Sequence, residues 1–137
     1  MIRSPKHEIC EYYGSDKKAA IRALSVRQPW ANDIINGTKT IEFRTVSTNI
    51  REQVFIYASK TMKTAEKQEL KTRGLVAASY VRGAIIGVVT IQRCIQPAHS
   101  GDYQWHLVSP RKFKTPLLIA NRPQPVWFRP KFWSVEK

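Results

Sequence analysis

Gly83-Ala-Ile-Ile-Gly-Val-Val-Thr-Ile91 is the strongest strand signal in this chain, a β-branched apolar run interrupted by two glycines. The glycines predict a bend or a close approach by another backbone. A second run, Val54 to Ala58, is nearly all apolar and reads as a central strand covered on both faces. Ala23 to Val26 adds a short strand, and Tyr103, Trp105 and Leu107 alternate with Gln104, His106 and Val108 in another. From Pro110 the chain is rich in proline and aromatics, and Pro123, Pro125 and Pro130 confine it to edge strands and extended segments. Helical signals are few. Gln28-Pro29 opens a short one, in which Trp30, Ala31, Ile34 and Ile35 share a face and Gly37 supplies a left-handed stop. The lysine- and glutamate-rich stretch from Thr61 to Thr72, ending at Gly74, reads as a mostly solvated helix. Many short strands with one or two helices make a small mixed α+β barrel or curled sheet.

The 137 residues fit one domain, and a 42% hydrophobic content suffices for a core. Residues 1–20 are polar and read as an N-terminal arm; residues 21–137 form the domain. No apolar run approaches the roughly 20 residues of a bilayer span, and the N-terminus lacks the apolar stretch of a secretory signal. A cytoplasmic protein with no membrane partner is expected. Cys10 and Cys94 are then two reduced thiols. His7 and Cys10 have ligand-like spacing, but Cys94, His99 and His106 are scattered singly, so neither a metal site nor a cofactor is expected.

Charge points to a polyanionic partner. Twenty-three Lys and Arg oppose ten Asp and Glu, a net of +13. Residues 71–137 carry +9 of it; between Glu69 and Glu136 the only acid is Asp102. Such a field attracts nucleic acid and speeds its encounter.

The motif that locates a site lies between Arg27 and Arg44. Ile41 and Phe43 alternate with Thr40, Glu42 and Arg44, a half-buried strand whose polar face carries the charge. By spacing alone, Glu42 pairs with Lys39 or Arg44 in a surface salt bridge worth at most about 1 kcal/mol. Yet Leu24-Ser-Val-Arg-Gln-Pro-Trp-Ala31, followed by Gly37, Lys39, Glu42 and Arg44 in a G-x-K-x-x-E-x-R pattern, closely resembles the signature of the ASCH domain family. The strand ending Tyr57-Ala58-Ser59-Lys60, the Arg82 to Gly87 strand, the Tyr103 to Leu107 strand and Pro123 to Phe128 resemble the same family, so the likeness runs from about Ala23 to Trp127.

That resemblance implies a PUA-like pseudo-barrel of about five or six strands with one to three flanking helices. It also implies a motif cleft beside the first helix, where RNA, single-stranded nucleic acid or a modified nucleoside binds. Ser25, Arg27, Gln28, Trp30, Lys39, Glu42, Arg44 and Lys60 are the expected binding residues. Arg27 and Arg44 offer planar forks for phosphate or a base edge, and Trp30 a flat face for stacking. Trp30, Tyr57 and Trp105 also read as core residues. Some ASCH-related proteins are amidohydrolases acting on N4-acetylcytidine, and others are proposed ribonucleases. Lys39, Glu42, Tyr57 and Ser59 are the corresponding catalytic candidates, with Lys39 as nucleophile or base. In the amidohydrolase group the third residue after the lysine is threonine; here it is Glu42, which removes that hydroxyl.

Overall fold

A computed structural model describes residue 20 and residues 22–132. The expected arm, with His7 and Cys10, lies outside them, apart from Ala20, which is buried. Six strands form one sheet in the order β2-β5-β4-β3-β1-β6: β1 (Ala23–Val26), β2 (Ile41–Arg44), β3 (Gln53–Ala58), β4 (Ala84–Ile95), β5 (Tyr103–Leu117) and β6 (Trp127–Phe128). Only β1 and β3 run parallel. Among the described residues two α-helices accompany the sheet, α1 (Trp30–Ile35) and α2 (Thr64–Thr72), together with a single 3-10 turn at Ala77–Ser79.

The sheet is strongly curled. Edge strand β2 and strand β1 stand four places apart, about 19 Å in a flat sheet. Yet Arg44 on β2 donates from Nη2 to the Ser25 carbonyl on β1 at 3.0 Å. Trp105 on β5 and Trp127 on β6 are also four places apart, and their rings stack at 5.7 Å. The result is an α+β half-barrel whose β2 and β1 sides meet through side chains instead of a ladder.

The β3 run alternates between two cores, as its all-apolar pattern demands. Val54, Ile56 and Ala58 join one with Ile34, Ile35 and Trp105; Phe55 and Tyr57 join the other with Phe113, Leu117 and Phe128. In β4 the facing slips near Gly87, because Ile86 and Val89 join the first core and Val88 the second. A side chain at Gly87 would strike the Arg111 carbonyl and approach Ile35 Cδ1 at 2.9 Å. The close approach read from the sequence is thus a β-bulge where β5 and α1 crowd β4.

Strand β5 runs through Pro110 to Leu117, the start of the stretch read as edge strands and extended segments. Only Tyr103 to His106 pair with β2, so Pro110 lies on a free edge, and Ser109 (φ 54°) sits at a break in the β4–β5 register. Helix α2 is mostly solvated, as its composition suggests, with Leu70 and Glu66 as its buried residues. Cys94 is a free, half-buried thiol. Among the described residues, no helix is long and apolar enough to cross a membrane.

Candidate functional site

The site begins with the stop of α1. Gly37 takes φ 82° and donates its N–H to the Ile34 carbonyl, and the Lys39 N–H reaches back to the Asp33 carbonyl at 3.0 Å. This tight return sends Lys39 and β2 away from the helix end along the seam of the half-barrel. In β2 the expected alternation is reversed: Glu42 is buried and Phe43 is 55% exposed. The polar face of this strand therefore points inward, because its charges satisfy one another. Glu42 Oε2 accepts from Arg44 Nε at 2.8 Å and lies 2.7 Å from Nη2, while Oε1 is 3.5 Å from Lys39 Nζ. Burying a carboxylate alone is very costly, and two cations offset that cost here. The surface salt bridge suggested by spacing is a nearly buried network instead. Arg44 extends it to the Ser25 carbonyl and lays its guanidinium 5.7 Å from the Trp105 ring.

Around this network lies an open cleft of about 680 Å³. Seven of the eight expected binding residues line it: Ser25, Arg27, Trp30, Lys39, Glu42, Arg44 and Lys60. So do the catalytic candidates Tyr57 and Ser59. Gln28 does not. It is fully buried, donating from Nε2 to Asn32 Oδ1 and the Val81 carbonyl while its Oε1 accepts from the Asn32 N–H. Its amide fastens the first turn of α1 to the loop before β4, which is a structural duty.

The lining residues differ in how far they are already engaged. Ser25 donates its hydroxyl to the Gln124 carbonyl at 2.9 Å, and Ser59 Oγ accepts from the Thr61 N–H. Tyr57 is 2% exposed and packs edge-on against Phe128 at 5.3 Å, and burial pushes its phenol above the ordinary tyrosine value. Trp30 is half-buried, packed against the core while still lining the cleft. Trp105 is wholly core, its indole N–H donating to the Val46 carbonyl. Lys60 is exposed, and the absence of a side chain at Gly83 leaves room for its stem.

Several lining residues were not legible from the motif. Glu66 is 3% exposed, accepts from the Lys63 N–H at 2.7 Å, and meets Arg27 Nη1 at 3.5 Å. Lysine at the cap gave little signal for this arrangement. Pro123 to Val126 also line the cleft, anchored to β1 where the Ser25 N–H donates to the Val126 carbonyl. Phe43 was assigned to the wrong face by the alternation. Among the described residues, no group of three or more His, Cys, Asp or Glu is placed to hold a metal ion.

The family model for the ASCH domain matches residues 24–117, a span that carries the whole ionic network. Among solved structures, the ASCH protein of Zymomonas mobilis is similar in fold, with a TM-score of 0.54 and 12% identity over 79% of this chain and 85% of that one. A tyrosine-to-phenylalanine mutant of it gives 0.54 with 12% identity, covering 79% and 88%. A serine-to-alanine mutant gives 0.52 with 13% identity, covering 79% and 86%. Identity at this level speaks for the fold alone. No curated protein matches the chain by sequence.

Proposed function

The chain belongs to the ASCH domain family, and on that premise we propose that its cleft binds single-stranded RNA or a modified nucleotide. One observation carries the reading. Residues scattered from Ser25 to Lys60 converge on one cleft, whose volume lies within the range of about 300–1,000 Å³ usual for small-ligand sites. Four cations line it (Arg27, Lys39, Arg44 and Lys60) against two carboxylates, Glu42 and Glu66. The surplus suits an anion such as a phosphodiester. The ring of Trp30 beside them suits a base. The basic second half of the chain adds a long-range attraction for polyanions.

Hydrolysis in the same cleft is the second reading. It rests on Lys39, which is held by a 3.5 Å ion pair to Glu42 whereas Arg44 makes short, directed hydrogen bonds to the same group. Pure protein incubated with labelled single-stranded RNA and with N4-acetylcytidine, with and without divalent metal, distinguishes the two. Retention of intact RNA supports binding. Cleavage of either compound, lost in Lys39→Ala, puts hydrolysis in its place. Neither retention nor turnover overturns both.

A further inference from the structure

We propose that Phe43 is the stacking platform of the cleft, the surface on which a nucleobase of the bound strand lies. This rests on the binding reading above and names the group that would take the base. Putting Glu42 and Arg44 inside the seam forces their neighbour outward, because successive residues of a strand face opposite ways. The outward residue is a phenylalanine, 55% exposed, and it still lines the cleft. The other aromatic lining residues are more committed: Tyr57 is buried against Phe128, and Trp30 is half-buried against the core. Lys39 Nζ lies over the Phe43 ring, 5.3 Å from its centroid, so a cation and the most exposed ring of the cleft sit together, and a stacked base takes the ring face that the ammonium leaves. Phenylalanine has no polar handle, so the contact it offers is face-to-face stacking, tolerant of base identity.

The test compares a single-stranded oligouridylate with an abasic oligomer of the same length and charge, against the parent, Phe43→Ala and Phe43→Trp. Phe43→Ala should weaken oligouridylate binding roughly 5- to 150-fold, the range for loss of one stacked base, and leave abasic binding unchanged. Phe43→Trp should retain affinity and show fluorescence quenching on binding beyond that of the parent. Equal oligouridylate affinity for parent and Phe43→Ala overturns the proposal, as does an equal loss on both oligomers. The two readings fail separately. If the parent binds and Lys39→Ala weakens it while Phe43→Ala does not, only the platform is wrong. If the parent binds neither oligomer, the binding reading falls and the platform with it.

Discussion

Arg44 and Lys39 flank one carboxylate, yet truncating them should have different consequences. Arg44→Ala removes two short contacts to Glu42 and the 3.0 Å bond to the Ser25 carbonyl, leaving a nearly buried carboxylate with a single partner at 3.5 Å. Breaking a buried pair from one side costs about 3–5 kcal/mol, and a loss near the lower end is expected in urea unfolding. Lys39→Ala removes only the longer contact of a more exposed group and should cost under about 1 kcal/mol. Comparable stabilities for the two variants would contradict the network as described. Tyr57 supplies a pH dependence. Burial raises its phenol above the ordinary value of about 10, so the unfolded chain ionises first as the pH rises. Its contribution is therefore full below about pH 10 and lost as pH climbs through the folded-state value. Unfolding measured from neutral to strongly alkaline pH should show a smaller alkaline decline in Tyr57→Phe than in the parent.

The elements show what sequence reading reached and where it stopped. The two-sided burial of β3, the α1 stop at Gly37 and the close approach at Gly87 follow from local rules and are all present. The phase of β2 was not accessible to such rules. Alternation assumes that charge faces water, and here Glu42 faces inward because Arg44 and Lys39 come with it. The edge strand expected from Pro110 is present where β2 is too short to cover β5, and what local rules did not reveal is that it continues the Tyr103 strand. Gln28 stood in the same QPWA run as cleft residues, and nothing local revealed that its amide would turn inward. The motif thus located the cleft, while the partition of duties inside it depended on tertiary contacts. Gly87 offers a test at this scale. Gly87→Ala would press its methyl on the Arg111 carbonyl and Ile35, where neither backbone nor core can readily give. Overpacking of this kind costs about 1–3 kcal/mol, occasionally more, and thermal unfolding should show a marked drop. A melting temperature equal to the parent would mean that the β4–β5 crowding is relaxed in solution.

At the scale of the molecule, an incompletely closed barrel accounts for the position of the site. A closed ladder between the edge strands β2 and β6 would leave no cleft; the Arg44–Ser25 bond and the Trp105–Trp127 stack brace the seam while leaving space along it. On the proposed reading, the +13 charge attracts polyanions and the seam is the place where one strand would be gripped. Affinity for a single-stranded RNA oligomer as a function of salt, in the parent and in Lys39→Ala, tests this claim most directly. With about four phosphates contacted at a slope of −0.7 each, log affinity should fall against log salt with a slope near −3. In Lys39→Ala binding should weaken by the equivalent of about 1.5–3 kcal/mol, the value of a charge-assisted hydrogen bond, and the slope should shrink by about 0.7. Salt curves that coincide for the two proteins would contradict the assignment of the cleft as the binding site.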